Sequence, residues 1–92
     1  MLRGKTPSGF SFKISEEARD DMELLELITK FDAGQKELIS DVLIGLLGQE
    51  QKDKLYEYCR GKTGRVSATK VFQELHDIFD VIQKSEEDVK NL

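Results

Sequence analysis

Apolar positions in the last third of the chain recur at helical spacing, with Val71, Phe72, Leu75, Ile78, Phe79 and Ile82 forming one face. Ser67 precedes them as an N-cap candidate, so the spacing predicts a helix from there to about Lys84. Upstream, Leu38, Ile39, Val42, Leu43, Leu46 and Leu47 make a second stripe, which predicts a helix over 35–47 that Gly48 ends. A shorter helix over 49–60 turns Leu55, Tyr58 and Cys59 inward. The first helix is expected over 16–31, capped by Ser15 and carrying Glu16, Glu17, Asp20 and Asp21 near the positive end of its dipole. Its apolar face is read as Ala18, Met22, Leu25 and Ile28, widened by Leu24, Leu27 and Phe31.

The period changes at the N-terminus. Phe10, Phe12 and Ile14 alternate with Ser11 and Lys13, the period of two of an extended segment. No second strand is evident to pair with it, so it reads as an extended packing arm. Residues 1–9, with Gly4, Pro7, Ser8 and Gly9, show no apolar periodicity and read as a flexible lead-in. From Ser85 to Leu92 the chain is acidic and is expected to fray. The expected fold is all-α: a bundle of about four helices over 10–84, with a short extended N-terminal arm.

Composition adds bounds. The 92 residues are 38% hydrophobic and 35% charged, enough for one core beneath a heavily charged surface. No run approaches the roughly 20 apolar residues of a membrane span, and residues 1–12 lack the apolar stretch of a signal peptide, so a cytoplasmic protein is expected. Cys59 is the single cysteine and His76 the single histidine, too few for a disulfide or a zinc site. The net charge of −4 is uneven: Arg3, Lys5 and Lys13 give the first fourteen residues three positive charges, and the remainder is acidic. An acidic body argues against nucleic acid as the main ligand, because that affinity rests on neutralising phosphates.

Three constellations invite chemical readings. Gly61-Lys62-Thr63 copies the end of a phosphate-binding loop, but the glycine required five residues earlier is Tyr56. His76 lies near Glu74, Asp77 and Asp80, yet on a helix the neighbours at i−2 and i+1 are expected to point away, leaving only a surface pair with Asp80. Glu16, Glu17, Asp20, Asp21 and Glu23 lack the alternating ligands and central glycine of a calcium loop; helix-start electrostatics explain them, with docking of a basic helix as the alternative. No nucleophile and base are paired and no ligand cluster is present in the sequence, so no enzyme, metal or cofactor is expected.

Three short elements, taken in order, resemble a known family: Glu23-Leu24-Leu25-Glu26, then Leu46-Leu47-Gly48-Gln49-Glu50-Gln51, then Gly64-Arg65-Val66 before the last helix. Together they resemble the tail assembly chaperones of long-tailed bacteriophages, over about residues 22–82. The resemblance implies a protein that coats the long, helical tape measure protein and keeps it soluble until tail tube subunits polymerise around it, in the cytoplasm of a bacterial host. It implies no nucleotide or metal. It also implies a longer form, made by a programmed frameshift, that recruits tail tube protein.

Helix two is apolar around more of its circumference than one buried face requires. It is either a central helix packed on two sides or a helix partly exposed to an amphipathic partner, and on the second reading Leu43, Ile44 and Leu47 are the candidate partner-binding residues. An exposed leucine face would serve a homo-oligomer as well. The rival function is a small helical regulator that binds DNA through Arg60, Lys62, Arg65 and Lys70, against which Glu74, Asp77 and Asp80 extend along the same helix.

Overall fold

The computed structural model describes residues 1–90, with side-chain surroundings through Glu86. Two strands, β1 (Leu2–Lys5) and β2 (Ser11–Ile14), precede five α-helices: α1 (Glu16–Arg19), α2 (Met22–Asp32), α3 (Ile39–Leu47), α4 (Gln49–Tyr58) and α5 (Ala68–Lys90). A single 3₁₀ turn, Lys36–Leu38, leads into α3. The chain is mostly helical, as expected, but the N-terminal arm is a small two-stranded sheet.

That sheet corrects the reading of residues 1–9 as a lead-in without structure. The extended segment has a partner after all, because β1 pairs antiparallel with β2 in the register Leu2 to Ile14 and Gly4 to Phe12. Alternation along β2 puts Phe12 and Ile14 in the core and leaves Ser11 and Lys13 outside. The turn closes on Thr6, which is buried: its N–H donates to the Phe10 carbonyl at 2.9 Å, and its Oγ1 accepts from the Phe10 N–H at 3.2 Å. Gly4 was unreadable as a strand residue because its value lies in having no side chain. A Cβ there would meet Phe12 Cζ at 2.7 Å and Val81 Cγ1 at 2.8 Å, so the missing side chain lets β1 lie against α5.

The expected first helix is broken. Asp20 ends α1, and the Asp21 carboxylate accepts from the N–H groups of Glu23 (2.9 Å) and Leu24 (3.2 Å), restarting the helix as α2. Two caps therefore stand where one was read, Ser15 for α1 and Asp21 for α2. Gly48 ends α3 as expected and also starts α4: its N–H donates to the Ile44 carbonyl at 2.8 Å and its own carbonyl accepts from Lys52 at 3.0 Å. Its φ of 85° is open to glycine at little cost.

After α4, Gly61 to Gly64 form a tight turn in which Arg60 bridges to Val66. The Ser67 hydroxyl accepts from the Lys70 N–H at 3.2 Å, so α5 begins where the sequence placed it. It runs past the expected end near Lys84 to Lys90, while the last part of the expected frayed tail, residues 91–92, lies outside the described residues.

One core unites these elements. Phe12 and Ile14 from the hairpin meet Leu24 and Phe31 of α2, Val42 and Leu43 of α3, Leu55 of α4, and Leu75 and Ile78 of α5. The Phe31 and Phe72 rings stack at 6.0 Å between centroids, tying α2 to α5.

Candidate partner-binding groove

The three candidate partner-binding residues of helix two do not share one exposed face. Leu43 is fully buried and Leu47 nearly so, both among core side chains, and Ile44 alone of the three reaches the surface. The physical reason is that α3 is central, packed against α2, α4 and β2, which accounts for its wide apolar girth. Of the two readings of that helix, the central one fits its surroundings.

The exposed apolar surface arises instead at α2. The restart at Asp21 sets which face of the helix turns inward: Leu24 and Phe31 are buried, while Met22 and Leu25 are 64% and 54% exposed. The expected inward face of Ala18, Met22, Leu25 and Ile28 is thus corrected for its two largest exposed members. These residues line a groove of about 370 Å³ with Ile28, Leu46, Phe79 and Ile82. Its polar margin among the described residues is Asp20, Asp21 and Glu86, with Arg19 as the one cation among them. An apolar floor with a mainly acidic margin suits an apolar helix face flanked by lysine or arginine.

A signal for this surface was present in the sequence. Asp20-Asp21 interrupts the expected helix just ahead of Leu24, and an aspartate three residues before a buried leucine is a second capping pattern inside what was read as one helix.

The other constellations fall into place around this site. Arg60 donates from Nε and Nη2 to Glu57 at 3.0 and 2.8 Å and from Nη1 to the Gly64 carbonyl at 2.6 Å. Its guanidinium therefore holds the turn together, and as one of the four candidate phosphate contacts it is already engaged. The pairing lowers the Glu57 carboxyl from its ordinary value and raises Arg60.

Asp77 does not point away from His76 as expected: its Oδ1 lies 3.9 Å from Nδ1, with Asp80 Oδ2 at 3.5 Å. The three side chains could be bridged by a cation, but His76 is 70% exposed and the arrangement is that of ordinary neighbouring polar side chains on a helix surface. Cys59 is buried, and burial first, then the Glu74 charge, push its thiol above the ordinary range while Lys70 offsets part of this. That is the setting of an inert core thiol and not of a nucleophile.

No helix among the described residues is long and apolar enough to cross a membrane. No protein-family model, curated protein or solved structure matches the chain, so the family resemblance rests on the three sequence elements alone.

Proposed function

We propose that this chain is a non-catalytic binding module of the phage tail assembly chaperone type, which takes an amphipathic helix of the tape measure protein into the groove between α2 and α5. The observation that carries the proposal is the groove itself: Met22 and Leu25 stand exposed on a helix whose other face fills the core, beside Phe79 and Ile82, with Asp20, Asp21 and Glu86 at the margin. Two large apolar side chains held in solvent are tolerated at a surface that a partner covers. The acidic margin favours a partner helix whose apolar stripe is flanked by basic residues, and it disfavours an acidic one. The ordered elements Glu23-Leu24-Leu25-Glu26, Leu46 to Gln51 and Gly64-Arg65-Val66 add the family to this reading.

The DNA-binding alternative has less support, because Arg60 is engaged by Glu57 and the turn, and Glu57 adds a further acid beside the basic patch.

The test is co-expression with the tape measure protein encoded in the same genome, comparing the native chain with Met22→Asp and Leu25→Asp. The native chain is expected to keep the partner soluble and to co-purify with it, and each variant to lose both while retaining its helical circular dichroism. If the variants solubilise the partner as well as the native chain, the groove is not the docking site. If the native chain fails, the chaperone reading falls.

A further inference from the structure

The two edges of the N-terminal hairpin end differently. In an antiparallel pair, successive residues turn their backbone N–H and C=O alternately toward the partner strand and away from it. Lys13 turns both outward, since its N–H donates to Gln51 Oε1 and its carbonyl accepts from Gln51 Nε2. The register of Arg3 with Lys13 then turns the backbone groups of Arg3 outward, and those of Lys5 with them, while Leu2 and Gly4 face β2. The β2 edge is thus closed by a side chain at Lys13. On the β1 edge, the N–H and carbonyl of Arg3 and Lys5 have no partner among the described residues, and both residues are exposed.

The side chains give this edge a sign. Arg3, Lys5 and Lys13 alternate with inward-facing residues, so all three stand on the outer face of the hairpin, with Arg3 directly across from Lys13. Like charges placed opposite one another repel, and none of the three is in an ion pair among the described residues. Arg3 and Lys13 share a recess of about 460 Å³ with Glu50, the one acid among its described lining residues, and Glu50 is paired with Lys54 at 3.5 Å. The same three cations are the only charges in the first fourteen residues of a chain whose net charge is −4. Charges of one sign along a strand edge keep it from pairing with its own copy, and they leave an acidic strand as the complement.

We propose that the β1 edge takes up an extended acidic segment of a partner protein as a third, antiparallel strand. Its backbone pairs with Arg3 and Lys5, and its Asp or Glu side chains, at alternate positions, lie on the basic outer face. Backbone pairing supplies the affinity in this mode, and the alternate side chains select the partner. Residues directly opposite in an antiparallel pair share a face, so the acids opposite Arg3 and Lys5 are also the residues whose N–H groups turn toward β1. The edge shares no residue with the groove between α2 and α5, so either surface can fail without the other.

The test is nuclear magnetic resonance titration of the full chain, at low salt, with a short peptide of alternating aspartate and valine. Saturable shifts are expected at the Arg3 and Lys5 amides, whose hydrogen exchange should slow by about tenfold at saturation. The same peptide N-methylated at its aspartates should not bind, whereas N-methylation at its valines should leave binding intact. A peptide with lysine in place of aspartate should not bind the native chain. Reversing the edge with Arg3→Glu and Lys5→Glu, both at exposed positions, should keep the fold and turn the preference over, so that the lysine peptide binds at least about fivefold more tightly than the acidic one. Equal binding of the aspartate-methylated peptide would mean attraction by charge without strand pairing and would overturn the proposal. Absence of saturable shifts would do the same, as would protection of the Arg3 and Lys5 amides in the free chain that is lost on dilution, which would assign the edge to a second copy.

Discussion

The side-chain amide of Gln51 takes the place of a third strand beside Lys13. Its Oε1 accepts from the Lys13 N–H at 2.9 Å and its Nε2 donates to the Lys13 carbonyl at 2.7 Å, as a paired backbone would. The same Nε2 reaches the Leu47 carbonyl at 2.7 Å, so one side chain joins the edge of β2 to the end of α3. Gln51→Ala is expected to cost about 1–2 kcal/mol, for three hydrogen bonds at a partly exposed site, and to speed hydrogen exchange at the Lys13 amide. Native-state exchange against the unchanged chain checks both. An unchanged Lys13 rate would mean that the edge is protected some other way.

The two close-packed glycines should respond differently to alanine. At Gly4 the new Cβ meets an aromatic ring and Val81, both held in place, and Gly4→Ala is expected to destabilise by about 1–3 kcal/mol, as overpacking does. At Gly45 the clash is with the end of the Leu24 side chain, at 2.7 Å, and the gain in helix propensity of about 1 kcal/mol works the other way. Gly45→Ala should therefore fall within about 1 kcal/mol of the native chain. Urea denaturation of both variants separates the cases.

Leucines that looked alike in the sequence should differ in energetic weight. Leu43→Ala is expected to cost about 2–5 kcal/mol, since it empties a fully buried position. Leu25→Ala, at an exposed position, should stay within about 0.5 kcal/mol. Denaturation midpoints give the answer, and a large loss at Leu25 would mean that it supports the fold and not a partner.

Cys59 should make the protein less stable toward alkaline pH. Burial raises its folded-state pKa above the unfolded value, so its contribution is complete below the unfolded pKa, about 8.5, and is lost as pH rises through the folded one. Denaturation midpoints are expected to fall across that window, and Cys59→Ala should remove that part of the slope. At neutral pH the native thiol should react with iodoacetamide far more slowly than the thiol of the unfolded chain. Rapid labelling of the folded protein would contradict its burial.

Local rules determined much of this protein. The stripe from Val71 to Ile82, the Ser15 and Ser67 caps, and the glycine break at position 48 are each decided within a few residues, and the structure keeps all of them. Most of the helices were legible for that reason. Tertiary structure decided what local pattern leaves degenerate. Gly4 has no apolar signal, so the strand it belongs to could be recognised only once Phe12 and Val81 were seen to need the space. α2 carries apolar residues around most of its circumference, so the choice between Leu24 with Phe31 and Met22 with Leu25 as the inward face fell to the Asp21 cap and the packing of α3. The wide apolar girth of α3 was legible, but burial depends on how many neighbours surround a helix, and a single chain's periodicity does not count them. The candidate groove therefore became visible only when α2 and α5 were placed side by side.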